Sequence, residues 1–131
     1  MVDILMATYN GEAFVEEQVR SIMAQSFRDW RLLIHDDGST DQTISILQRL
    51  SREDERILLI EDNISHLGVA RNFIHLASIS TAQYCMFCDQ DDIWLPSKVE
   101  KMHQSISKYN QTIPQVLYSN AFLWKHQQGI I

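Results

Sequence analysis

Leu32-Leu33-Ile34-His35-Asp36-Asp37-Gly38-Ser39-Thr40-Asp41 sets a short apolar run against an acidic turn and a helix cap. The run reads as a buried strand, and Asp36-Asp37-Gly38 ends it. Ser39 or Thr40 can cap a following helix, with Asp41 favourably placed in its first turn. Ile44, Leu47 and Leu50 give that helix its buried face. Upstream, Val2 to Thr8 is another apolar run, stopped by Tyr9-Asn10-Gly11. Val15, Val19, Ile22 and Met23 then recur at helical spacing. Downstream, Ile57 to Ile60 reads as a third strand, and Val69, Phe73, Leu76 and Ala77 as the stripe of a third helix. Tyr84 to Phe87 is a fourth strand, closed by Asp89-Gln90-Asp91-Asp92. Pro96 suits the first turn of a helix showing Val99, Met102 and Ile106, and Val116 to Tyr118 has the look of a fifth strand. This strict alternation predicts an α/β fold, a mostly parallel sheet with helices on both faces. Phe122 to Ile131 takes no clear element and closes nothing, which suggests a longer parent protein.

Composition bounds the function. The chain has 131 residues, 45% of them hydrophobic, which is one domain's worth of core. Charged residues make up 21%, too few for disorder. The net charge of −6 is opposite to that of a general nucleic-acid binder. No apolar run reaches the roughly 20 residues of a membrane span, and no basic segment opens a signal peptide. Cys85 and Cys88 have C-x-x-C spacing. On a strand three residues span about 10 Å, whereas a disulfide needs Cα atoms within about 7 Å. Two reduced, buried thiols in a reducing compartment are expected.

In an open parallel sheet, ligands bind beyond the carboxyl ends of the strands. Three of those ends are polar here: Thr8-Tyr9-Asn10, Asp36-Asp37 and Asp89-Gln90-Asp91-Asp92. Two are acidic, so their carboxylates repel one another unless some titrate or a cation joins them. Hard oxygen donors of this kind suit Mg²⁺ or Mn²⁺. Such an ion, with open coordination positions, can clamp a diphosphate.

ILMATYNGEAFVEEQVRSIMAQSF, HDDGSTDQT, NISHLGVARNF and CDQDDIWLPSKVE stand in an order and spacing that resemble the N-terminal half of a family 2 glycosyltransferase of the GT-A fold. DQDDIW resembles the rhamnosyltransferase-like branch that builds bacterial surface polysaccharides. The resemblance implies one nucleotide-sugar donor domain over residues 1–131, with the acceptor-binding half beyond it. It implies a nucleoside-diphosphate sugar of the UDP or dTDP type, an inverting transfer to a saccharide or lipid-linked acceptor, and Mn²⁺ or Mg²⁺ as cofactor. It implies a cytoplasmic location, with any attachment to the inner membrane face carried by other segments. By position, Thr8, Tyr9 and Asn10 would lie against the nucleotide, with Tyr9 near the base. Asp36 or Asp37 would accept the pyrimidine N3–H, with family usage leaning to the first. Gly68, Arg71 and Asn72 would line the pocket, Arg71 near phosphate. Asp89 and Asp91 would be the D-x-D pair, Asp91 on the metal and Asp89 on ribose or on the metal through water. Gln90, between them, would also bind the nucleotide sugar, and Asp92 would sit on the sugar side or behind the ligands. Trp94 would pack under the loop.

An inverting transfer also needs a general base. The resemblance puts that base beyond Ile131, and Phe122 to Ile131 offers neither Asp nor Glu, only His126. A non-catalytic nucleotide-binding or interaction fragment is therefore the alternative. His35, His66, His75 and His103 are read as surface or satisfied residues. A phosphoacceptor receiver domain of similar length would want its acidic pair after the first strand and a Lys after the fifth. The acidic pair here follows the second, and Ser119-Asn120 follows Tyr118.

Overall fold

The computed structural model describes residues 1–122, 124–125 and 129–130. Elements run β1 Val2–Thr8, α1 Val15–Met23, β2 Trp30–Asp36, α2 Thr43–Glu53, β3 Ile57–Leu59, α3 Val69–Ile79, β4 Tyr84–Cys88 and α4 Lys98–Ile106. A separate pair, β5 Trp124–Lys125 and β6 Gly129–Ile130, is antiparallel. The main sheet is parallel throughout, in the order β3-β2-β1-β4. This is the α/β sheet the sequence predicts.

Alternation along β1 builds two cores. Val2, Ile4 and Met6 face one side, where Val15, Val19 and Ile22 of α1, Leu47 and Leu50 of α2 and Val99 of α4 meet them. Leu5 and Leu33 face the other, against Leu76 of α3. Handedness explains the split. Right-handed crossovers from β1 to β2 and from β2 to β3 lay α1 and α2 on one face. The return from β3 to β4 runs the opposite way across the sheet, so α3 covers the other face. Between β1 and β4 the chain changes direction, and that reversal opens a crevice at their carboxyl ends.

One polar group is built into the second face. Asp3 is fully buried and opposite Arg31 in the β1–β2 register. Arg31 donates twice to its carboxylate at 2.8 Å, and Ser80 Oγ donates at 2.7 Å. Burial pushes the Asp3 carboxyl up, but the Arg31 and Ser80 hydrogen bonds outweigh it and hold it below its ordinary value.

Several local expectations are corrected. Helix α2 starts at Thr43, and neither Ser39 nor Thr40 caps it. Ser39 Oγ is drawn into the Asp36 carboxylate at 2.6 Å, while Asp41, ahead of the first turn, accepts the Thr43 N–H at 2.9 Å. Thr43, Leu47 and Leu50 are its buried residues, and Ile44 is only half-buried. The inner face of α3 is Asn72 and Leu76; Val69 is 68% exposed, Ala77 is exposed and Phe73 is half-buried. Pro96 lies in the turn before α4. Val116 to Tyr118 forms no strand: Val116 and Tyr118 are almost fully exposed and line, with β4, a groove of about 500 Å³. Both cysteines are free, but only Cys88 is buried, and Cys85 is exposed. Burial raises the Cys88 thiol far above its usual range, which removes the thiolate that redox or metal chemistry needs. His126 lies outside the described residues, as does part of the unassigned tail. Among the described residues no helix is long and apolar enough to cross a membrane.

Candidate functional site

The crevice at the β1–β4 reversal is a cleft of about 260 Å³. Thr8 and Tyr9 enter it from β1, Asp37 from β2, and Asp89, Gln90 and Asp91 from β4. Val69 and Asn72, at the start of α3, close its side. Seven residues that the sequence reading placed in a site thus share one cleft. Val69, which helical periodicity puts on the apolar stripe of α3, lines the cleft as well.

The two halves of the cleft are joined across the reversal. The Tyr9 N–H donates to Gln90 Oε1 and Gln90 Nε2 donates to the Tyr9 carbonyl, both at 3.0 Å. Gly11 sits under this clamp, and a Cβ there would come within 2.3 Å of Gln90 Oε1. Gln90→Ala removes both bonds where water can partly replace them. The expected loss is about 1 kcal/mol, read in urea unfolding, together with weaker ligand binding. Unchanged stability and binding would show that the clamp does not shape the cleft.

The acidic pair after β2 is divided in its work. Asp36 is consumed by the fold. Its carboxylate accepts from Thr8 Oγ1 at 2.8 Å, Ser39 Oγ at 2.6 Å, and the N–H groups of Gly38 and Ser39 at 3.1 and 2.7 Å. Asp36 is absent from the lining of the cleft. Asp37 lines it, and its two oxygens accept the Leu67 and Gly68 N–H groups at 2.7 and 2.9 Å. One lone pair on each oxygen stays open to a ligand. Gly68 has φ 79° and turns the chain into α3, which lets its N–H reach Asp37. Asn10, at φ 45°, accepts the Thr40 N–H and is also outside the lining. Arg71 is exposed on α3 and lines no part of the cleft. Asn72 lines it, but its amide already binds His35 at both ends.

Asp89 and Asp91 differ from the pair after β2. Neither carboxylate hydrogen-bonds to another described residue, and both are exposed on the cleft. Their charge acts on Asp92, whose carboxyl is raised by burial and then by Asp89 and Asp91, with Lys98 offsetting part. Uncommitted, mutually repelling carboxylates are the donor set a hard divalent cation takes up, one or two at a time, with diphosphate oxygens completing the shell. The residues present therefore fit Mn²⁺ or Mg²⁺. Beneath the loop, Trp94 is buried in the core as the sequence predicts, and its N–H donates to Ser21 Oγ at 3.0 Å. The buried Gln18 amide satisfies its surroundings when its nitrogen donates to the Asp92 carbonyl at 2.7 Å and its oxygen accepts from the Trp94 indole.

The sequence model of glycosyl transferase family 2 matches residues 3–129. The chain belongs to glycosyl transferase family 2. Among this family's curated members, it is 38% identical over 99 residues to the dTDP-rhamnosyl transferase RfbG of Shigella flexneri, covering 72% of this chain and 34% of that protein. It is 30% identical over 110 residues to an Escherichia coli glucosyltransferase, WfgD, described as UDP-Glc:alpha-D-GlcNAc-diphosphoundecaprenol beta-1,3-glucosyltransferase. That match covers 84% of this chain and 42% of WfgD. The chain thus spans roughly two fifths or less of these relatives' length. Among solved structures, S. aureus TarS 1–349 with UDP superposes at a TM-score of 0.73 and 21% identity, over 82% of this chain and 32% of TarS. The Pyrobaculum calidifontis mannosyltransferase PcManGT, in complex with GDP-Man and Mn²⁺, superposes at 0.64 and 24% identity, over 71% of this chain and 28% of PcManGT. These two share the family 2 chain's fold.

Proposed function

We propose that this family 2 chain is the donor half of an inverting, metal-dependent glycosyltransferase that takes a UDP- or dTDP-sugar. The reading rests most on one observation: uncommitted Asp89 and Asp91 face Asp37 and Tyr9 across a single cleft at the sheet's reversal. Asp37 keeps lone pairs for the pyrimidine N3–H, so the second residue of the acidic pair, rather than the first, is assigned to the base. Tyr9, 53% exposed at the mouth, covers the base face. Asp91 would hold Mn²⁺ or Mg²⁺ directly, and Asp89 would take ribose or a metal-bound water. When bound, the ion supplies positive charge to the diphosphate as the C1–O bond to it breaks. The chain's own residues bind and orient: Gln90 fixes Tyr9 against the metal loop, and Gln18 and Trp94 hold that loop from below. Asn72 lines the wall, and Gly68, outside the lining, turns the chain into α3 beside it. Arg71 is the cation nearest to that wall in sequence. The base, the acceptor half and the choice of sugar are assigned to the longer protein. The dTDP and UDP-Glc donors named for RfbG and WfgD support a pyrimidine nucleotide, and the undecaprenol-linked acceptor named for WfgD supports cell-surface polysaccharide synthesis.

Base selectivity tests this reading. In equilibrium dialysis with Mn²⁺, UDP and dTDP are expected to bind at least about tenfold more tightly than CDP, whose N3 carries no proton to donate to Asp37. Equal binding of CDP would overturn the assignment of Asp37 to the N3–H.

A further inference from the structure

We propose that His35, Asp62 and His75 form a second metal site, separate from the cleft carboxylates and selective for a transition-metal ion of the Zn²⁺ class. His35 is the penultimate residue of β2, Asp62 follows β3, and His75 lies on α3. One ligand atom from each lies within 4.8 Å of the other two, the only such three-residue group among the described residues.

The hydrogen bonds define what the cluster lacks. Asn72 Nδ2 donates to the His35 carbonyl at 3.1 Å, which turns Asn72 Oδ1 toward the ring. His35 Nδ1, 2.8 Å from that oxygen, must therefore carry a proton and donate. In the neutral ring, Nε2 then holds a lone pair. That lone pair faces Asp62 Oδ1 at 3.2 Å, one acceptor against another. His75 Nε2 faces the second oxygen, Oδ2, at 2.5 Å. Two imidazole nitrogens thus converge on one carboxylate; His75 can donate to it from Nε2, whereas His35 cannot, and a cation shared by the three would satisfy the His35 lone pair. A metal ion takes neutral imidazole directly. The Nδ1–H bonded to an amide oxygen is the outer contact that orients metal-binding histidines. Asp62 is oriented too, by the Ile64 N–H at 3.0 Å.

The donor set selects the metal. Two imidazoles and a carboxylate suit Zn²⁺, Co²⁺ or Ni²⁺ and are poor partners for Mg²⁺. Ligand atoms about a tetrahedral ion stand about 3.3 Å apart. The His75 and Asp62 side chains are 21% and 27% exposed, so the 2.5 Å contact between them can open to that spacing. The bound ion would pin the 61–68 loop to β2 and α3, beside the Leu67 and Gly68 amides that hold Asp37.

Tag-free, chelator-stripped protein titrated with Co²⁺ at neutral pH provides the test. One equivalent is expected to bind with the visible absorption of four-coordinate Co²⁺, and Zn²⁺ is expected to displace it. The same titration is expected to be unchanged in Asp91→Asn. His75→Ala, on a half-exposed helix surface and checked for folding by circular dichroism, should weaken binding more than about tenfold; Asp62→Asn should do likewise. No Co²⁺ uptake by the wild-type chain would overturn the proposal, as would equal affinity in a folded His75→Ala protein.

Discussion

Asp91→Asn is expected to abolish Mn²⁺-dependent binding of UDP and dTDP while leaving the free protein as stable as before or slightly more so. The carboxylate is exposed on the cleft and hydrogen-bonds to no other described residue, so folding does not depend on it. Its neutralisation removes one of two uncommitted ligands, and binding is expected to fall more than about 100-fold, or about 2.7 kcal/mol. The stability prediction follows from Asp92. Burial, then Asp89 and Asp91, raise that carboxyl in the folded protein. A group raised on folding favours the folded state below its unfolded pKa, and the advantage is lost as pH rises through the folded value. At neutral pH the wild-type loop therefore carries unrelieved repulsion, and the amide relieves part of it. Calorimetric titration and a melting curve on the same sample check both halves. Unfolding of Asp91→Asn would make the residue structural and end its assignment to metal.

Arg31→Met is expected to produce the largest stability loss. It leaves the Asp3 carboxylate fully buried and stripped of its bidentate partner, with only the Ser80 hydroxyl and the Ala82 N–H remaining. Breaking a buried pair from one side costs about 3 kcal/mol, or a fall of about 10 °C in Tm for a domain of this size. The sign of the pH dependence is fixed by Asp3. Its folded pKa is lowered in the wild type, so its contribution is present above the unfolded value and is lost as pH falls through the folded one. In the variant the orphaned carboxyl is raised instead and takes a proton early. The difference in Tm is therefore expected to narrow as pH falls through the carboxylate range. A constant difference down to about pH 3 would place the cost elsewhere.

The sheet was readable because its strands are apolar on both faces. Val2 to Thr8 is seven residues long in sequence and structure alike, since every side chain but Ala7 is buried and the run needs no partner information to be seen. Helix α3 was harder to orient. Its core contact is Asn72, a polar residue that apolar periodicity skips, while Val69, on the periodic stripe, opens on the cleft. Val116 to Tyr118 has strand-forming residues, but a strand exists only where another pairs with it, and pairing is a tertiary fact. The start of α2 moved because Ser39 and Asp41 had nearer partners than the cap position: Asp36 claims the first, and the Thr43 amide the second.

Within the site, the convergence of Thr8, Tyr9, Asp37, Asp89, Gln90 and Asp91 followed from the strand-end rule, which needs only element order. The division of labour between Asp36 and Asp37 did not. Adjacent, identical residues differ only in which neighbours they meet: Ser39 and Thr8 for one, the Leu67 and Gly68 amides for the other. The grouping of His35, Asp62 and His75 was likewise invisible, because the residues are far apart in sequence and the fold alone brings them together.

Thermal unfolding of the chain with UDP or dTDP, each with and without Mn²⁺, shows whether the cleft between β1 and β4 binds a nucleoside diphosphate through a divalent ion. Ligand at about 100 times Kd adds about 2.7 kcal/mol, a rise of about 10 °C at this size. That rise is expected with nucleotide and Mn²⁺ together, little with either alone, and none in Asp91→Asn. An equal rise without metal, or no rise with either nucleotide, would contradict it.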